Sequence, residues 1–158
     1  MNSKIVNIKQ LKRILKKRKN KIVAFTNGCF DLLHYGHIKY LKSAKKMSDI
    51  LIVGINTDAS IKRIKGKNRP ITPLAQRMQI ISALEVVDYV ISFSEDTPYN
   101  LIKEIKPDLL IKGGDWDTKE IVGKDIVESY GGKVITIPYI KGISTTGIIK
   151  KIVKRFGG

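Results

Sequence analysis

Five short apolar runs leave this chain few folds to choose from: "KIVAF" (21–25), "DILIVGIN" (49–56), "DYVISF" (88–93), "DLLIKG" (108–113) and "KVITIP" (133–138). Each is continuous rather than alternating and rich in branched residues, as strands buried on both faces of a parallel sheet are. Between them, apolar residues recur at helical spacing. Ile38, Leu41 and Ala44 form one stripe, and Ala75, Met78, Ile81 and Leu84 form another. A third, Leu101, Ile102 and Ile105, follows Thr97-Pro98, a cap and first-turn pair. The C-terminal "STTGIIKKIVKRF" opens with hydroxyl caps and closes with basic residues, the order a helix dipole prefers. A further helix is expected over about Ile8 to Lys17. Strands alternating with helices imply right-handed crossovers. The expected fold class is therefore α/β: one Rossmann-like doubly wound domain, its five-stranded parallel sheet flanked by helices. In such sheets ligands bind at the carboxyl ends of the strands, where the strand order switches.

A length of 158 residues suits one domain with a real core. Within it we expect an N-terminal helical extension (1–20), an α/β core (21–140) and a C-terminal helix (141–158). No apolar run approaches the roughly 20 residues a membrane span needs. The lysine-studded N-terminus has no apolar segment of the kind secretory signals carry. One cysteine cannot make an internal disulfide, so a reducing cytoplasm is the expected compartment. The net charge of +16 invites a nucleic-acid reading, but the lysines are scattered and no aromatic RNA-binding signature interleaves them. A positive field that recruits small phosphorylated substrates is the simpler expectation. The longest polar connection, "KRIKGKNRPITP" (62–73), is expected to be a mobile loop.

"TNGCFDLLHYGHIKYLKSAKK", Thr26 to Lys46, gathers both histidines and the only cysteine of the chain. Its first residues fall at the carboxyl edge of the first strand, and His34 to His37 at the start of the first helix after it. Gly28 would let backbone approach a bulky anion, and a helix start offers free N–H groups and partial positive charge. Two imidazoles three residues apart share one face of a turn, with Gly36 between them. Several readings compete. Cys29, His34 and His37 supply three zinc ligands without a familiar zinc spacing. Cys29 with a histidine could form a nucleophile pair. Both histidines could simply be packed. Or the imidazoles donate hydrogen bonds to phosphate.

"GCFDLLHYGH" resembles the signature of the cytidylyltransferase-like nucleotidyltransferase superfamily: glycine, a small residue, Phe-Asp, then His-x-Gly-His. A second block, "GISTTGIIKKI" (Gly142 to Ile152), resembles the family's other mark, a helix whose start binds nucleotide phosphates. With "KRIKG", "QR", "EDTP" and "KGGD", the likeness from about Ile5 onward is strongest to the adenylyltransferases that convert D-glycero-β-D-manno-heptose 1-phosphate to ADP-heptose, here in stand-alone form. Glycerol-3-phosphate cytidylyltransferases share the two blocks, and Trp116 after Asp115 leans toward them. Tyr139 stands near the place where they normally carry an arginine. An enzyme using CTP and a polyol phosphate is thus the alternative, and a non-catalytic nucleotide- or RNA-binding module a further one.

The resemblance implies roles. Asn27, Gly28, Cys29, Phe30, Asp31 and Gly36 would cradle nucleotide phosphates, with His34 and His37 donating as the transition state forms. Gly142, Ile143, Ser144, Thr145 and Thr146 would hold the β and γ phosphates. Lys65 would swing onto the triphosphate from the loop, and Gly113, Gly114 and Asp115 would border the nucleotide. Arg69 and Arg77 are candidates near the substrate, Arg77 through a pairing with Asp31 that braces the site, and Asp96, Thr97 and Tyr99 are candidates for the sugar. Magnesium is expected with ATP, with no protein ligand assigned, and a homodimer is expected.

Overall fold

The computed structural model describes residues 4–114 and 117–157. Every expected strand is present: β1 (Val23–Gly28), β2 (Ile50–Asn56), β3 (Tyr89–Phe93), β4 (Leu109–Gly113) and β5 (Lys133–Ile137). They form one parallel sheet in the order β3-β2-β1-β4-β5. The order reverses between β1 and β4, which sets the crevice of a doubly wound sheet at their carboxyl ends. The expected fold class holds.

Alternation along the strands sorts the core into two layers. Val23 and Phe25 of β1, Ile50 and Ile52 of β2, Ile91 and Phe93 of β3 and Leu110 of β4 face one side. That side is covered by α1 (Ile8–Leu15), α5 (Tyr99–Ile105) and α6 (Lys124–Ser129) through Leu11, Leu101, Ile102, Ile105 and Val127. Ala24, Leu51, Val53, Ile55, Val90 and Ile111 face the other, where α2 (Tyr35–Lys46) and α4 (Leu74–Ser82) bury Leu41, Ala44 and Ile81. A continuous apolar strand run is the sequence trace of that double burial. At roughly 1.5–3 kcal/mol for each large apolar side chain buried, these two layers dominate the fold's stability.

The ends differ from the sequence reading in particular ways. Helix α1 stops at Leu15 rather than Lys17; Asn7 and Gln10 begin it with a reciprocal capping box. The residues ahead of it join the sheet edge, since the Val6 amide donates to the Val90 carbonyl and the Val90 amide to the Lys4 carbonyl, at 3.0 and 2.8 Å. Part of the expected 62–73 loop is helical: α3 (Asp58–Lys65) starts on the Thr57 hydroxyl and ends at Gly66, whose φ of +97° only glycine adopts readily. Helix α6 carries too few apolar residues to show a period. The last helix, α7 (Thr145–Phe156), buries none of its residues; Ile152, Val153 and Phe156 are exposed. No helix among the described residues is long and apolar enough to cross a membrane.

Candidate active site

The loop after β1 is built around a buried carboxylate. Asp31 is 3% exposed; Arg69 donates to it through Nε at 2.6 Å, and the amides of Ile71 and Thr72 donate at 2.8 Å each. Burial alone would raise the carboxyl, but those two amides and the guanidinium outweigh it and hold the acid below its ordinary range. This contact ties the 66–73 loop to the end of β1. The brace is therefore Arg69; the expected pairing of Asp31 with Arg77 does not occur.

Arg77 instead lies fully buried behind the loop. Its Nε donates to the Thr72 carbonyl at 2.8 Å, Nη1 to that of Cys29 at 2.6 Å, and Nη2 to that of Asn56 at 2.9 Å and to Asp58 at 2.7 Å. It clamps the ends of β1 and β2 to α3 and α4 with four of its five N–H donors, and its full burial keeps it out of the cleft lining.

His34 is the N-cap of α2. Its Nδ1 accepts from the His37 amide and its own amide donates to His37 Nδ1, both at 3.4 Å, so the two histidines make a reciprocal cap. The rings stack with centroids 3.7 Å apart, and the Phe30 ring lies 5.1 Å from that of His37. Because each Nδ1 is an acceptor, each neutral ring carries its proton on Nε2, the nitrogen free to donate to a ligand. Burial, then the neighbouring His34, lowers His37 to about 4; burial lowers His34 as well. Both are neutral donors near pH 7.

The two glycines of this block also sit close to neighbouring side chains. A Cβ on Gly28 would come within 3.0 Å of the Phe30 ring, and one on Gly36 within 3.0 Å of the His34 imidazole. Both leave room for a neighbouring side chain. The same point on Gly36 lies 3.7 Å from Cγ2 of Ile143, so the start of α2 adjoins the start of α7. Ser144 caps α7, its hydroxyl accepting from the Gly147 amide at 3.0 Å and keeping its own proton to donate.

These elements line one cleft of about 630 Å³ at the carboxyl edge of the sheet. It brings together Asn27, Gly28, Cys29, Phe30, Asp31, His34, Gly36, His37, Lys65, Arg69, Asp96, Thr97, Gly113, Ile143, Ser144, Thr145 and Thr146. Lys65 reaches it as the last residue of α3, not from a loop. Asp96 is already paired to Arg63 Nε at 2.7 Å. Gly114, Arg77, Tyr99 and Gly142 do not line it, and Tyr99 donates to Asp125 at 3.1 Å. Asp115 and Trp116 lie outside the described residues.

The zinc and nucleophile readings of this loop lose their support. Among the described residues no three His, Cys, Asp or Glu side chains gather to hold a metal. Burial pushes the Cys29 thiol up against the pull of Lys65, Arg77 and Arg69, the wrong direction for a nucleophilic thiolate.

Among the cleft residues left unassigned in the sequence, three make contacts that shape the site. Tyr40 shares a 2.5 Å hydrogen bond with Thr26 Oγ1 and donates to the Ile111 carbonyl at 3.2 Å. Tyr139 lies over Gly113, where a Cβ would come within 2.8 Å of its ring. Lys112 donates to the Asn27 side-chain oxygen. A lone lysine inside the "DLLIKG" run was the signal for the last.

Known proteins match this arrangement. The chain is 49% identical over 158 residues to the bifunctional protein HldE of Geobacter metallireducens, covering 99% of this chain and 32% of that protein. It is 52% identical over 149 residues to HldE of Campylobacter concisus, covering 94% and 31%. The chain thus spans about a third of the length of the curated relatives it matches. A crystal structure of the lipopolysaccharide core biosynthesis protein of Thermoplasma volcanium superposes with a TM-score of 0.63 at 35% identity, over 77% of this chain and 98% of that one. Pantoate-beta-alanine ligase from Francisella tularensis shares the fold at 22% identity, with a TM-score of 0.63 over 98% of this chain and 79% of that one. The pattern of the cytidylyltransferase-like family matches residues 25–151, nearly the whole α/β core and most of the last helix, and the chain belongs to that family of nucleotidyltransferases.

Proposed function

We propose that this chain transfers AMP from ATP to D-glycero-β-D-manno-heptose 1-phosphate, giving ADP-heptose and pyrophosphate. The observation that carries nucleotidyl transfer is the meeting of the α2 and α7 starts on one cleft, with the neutral imidazoles of His34 and His37 beside them. The heptose assignment rests on the likeness to HldE across nearly the whole chain.

In this reaction an oxygen of the acceptor phosphate bonds the α-phosphorus while the bond to the bridging oxygen breaks, and its electron pair leaves on pyrophosphate. The protein's part is alignment and neutralisation of charge. Nε2–H of His34 and His37 donates to the triphosphate as charge builds, and being uncharged already they need no deprotonation near neutral pH. The amides opening α7 and the Ser144 proton hold the departing phosphates. Lys65 adds a mobile positive charge from the end of α3. Among the described residues no group of acidic or imidazole side chains gathers to hold Mg²⁺, and Asp31 is already taken up by Arg69 and two amides. Magnesium would enter with the nucleotide, carried on phosphate oxygens and screening them.

Pyrophosphate release with ATP or CTP against a panel of sugar and polyol phosphates tests the proposal. Turnover with ATP and the heptose phosphate is expected. Turnover only with CTP and glycerol 3-phosphate, or no turnover with any pair, overturns it.

A further inference from the structure

The cleft straddles the edge of the sheet, and its two sides differ in chemistry. His34, His37 and Tyr40 approach from the side covered by α2 and α4. Asn27 and Lys112 follow the alternation of Phe25 and Leu110, so they point to the opposite side, the one covered by α5 and α6. There the cleft wall is Asp96, paired to Arg63, with Thr97 and Pro98 ahead of α5, and Glu120, Ile121 and Val122 ahead of α6. Lys112 thus belongs to a second lobe that the imidazoles do not face.

An ammonium in that position needs an explanation. Lys112 is partly buried within the strand, and desolvation lowers it to about 8. Its partner is the neutral amide oxygen of Asn27; among the described residues no carboxylate pairs with it. A partly desolvated cation held by an amide is poised for an anion that arrives from outside. In-line displacement requires the attacking oxygen to lie on the side of the α-phosphorus away from the departing pyrophosphate. With the pyrophosphate on the α2 and α7 starts, that side is the second lobe.

The geometry points to Lys112, oriented by Asn27, as the residue that binds the phosphate of the acceptor in the lobe opposite the imidazoles. The inference rests on the nucleotidyl-transfer reading and adds where the second substrate sits. A cation there also offsets the repulsion between the acceptor phosphate and the nucleotide it must attack.

Lys112→Met keeps the stem and removes the charge; Lys112→Arg keeps the charge. With whichever acceptor the turnover panel identifies, Lys112→Met should raise the acceptor KM by about 10- to 100-fold, the range of a charge-assisted hydrogen bond. The ATP KM should stay within about threefold, and Lys112→Arg should recover part of the loss. A second arm needs no turnover. Inorganic phosphate is titrated calorimetrically into protein saturated with α,β-methylene-ATP and magnesium; the wild type should bind it and Lys112→Met should not. Equal phosphate binding by the two proteins overturns the assignment, as does a rise in ATP KM with the acceptor KM unchanged. Thermal melts accompany both arms, and Lys112→Gln replaces Lys112→Met if the latter does not fold. Absence of heptose turnover with phosphate binding lost in the variant would refute the substrate reading alone.

Discussion

Replacing Arg77 by methionine should destabilise the protein severely without removing any group that meets substrate. The guanidinium is fully buried and makes four hydrogen bonds, to the carbonyls of Thr72, Cys29 and Asn56 and to Asp58. Methionine fills most of the stem's volume, so the loss comes from polar groups left without a donor. Asp58 is 41% exposed at its side chain and can rehydrate, so its charge contributes little. The carbonyls held inside the clamp are different, because an orphaned buried acceptor costs about 1–3 kcal/mol and such losses are not fully additive. Breaking a buried charged network in this way removes about 3–5 kcal/mol. For a domain of this size that corresponds to a Tm lower by roughly 6–20 °C. Urea unfolding followed by circular dichroism reads the change directly, with Asp58→Asn as a control expected to lose less than about 1 kcal/mol. Arg77→Met within about 1 kcal/mol of wild type would refute the clamp, and normal stability with a raised KM would restore Arg77 to the substrate.

His37→Ala should lower kcat by about 10²–10³ while retaining the fold, the loss expected for a transition-state donor; full activity in steady-state assays would remove the imidazole from the mechanism. The pH dependence of stability follows from the same residue. His37 is held near 4 when folded and titrates near 6.5 when unfolded, so the unfolded chain takes up the proton first. The contribution is present above about pH 6.5 and is lost as pH falls toward 4, so urea midpoints should drop over that window and drop less in His37→Gln. Equal pH sensitivity in the two proteins would contradict the burial argument.

What the sequence determined by itself was local. Double burial leaves continuous branched runs, so the five strands could be read directly, and the histidine block and the Ser-Thr-Thr helix start could be placed at strand and helix ends by chemistry alone. Tertiary structure decided the partners. Arg69 and Arg77 are chemically equal, eight residues apart, and either could have met Asp31; only the path of the 66–73 loop, with the Ile71 and Thr72 amides on the same carboxylate, gives it to Arg69. The Gly28 and Gly36 contacts depend likewise on where Phe30 and His34 turn. Lys112 and Asn27 meet across 85 residues because β4 pairs beside β1, an order no local periodicity encodes. Side-chain period is a property of one strand, whereas which strand lies next to it is settled by how the helices pack over both faces.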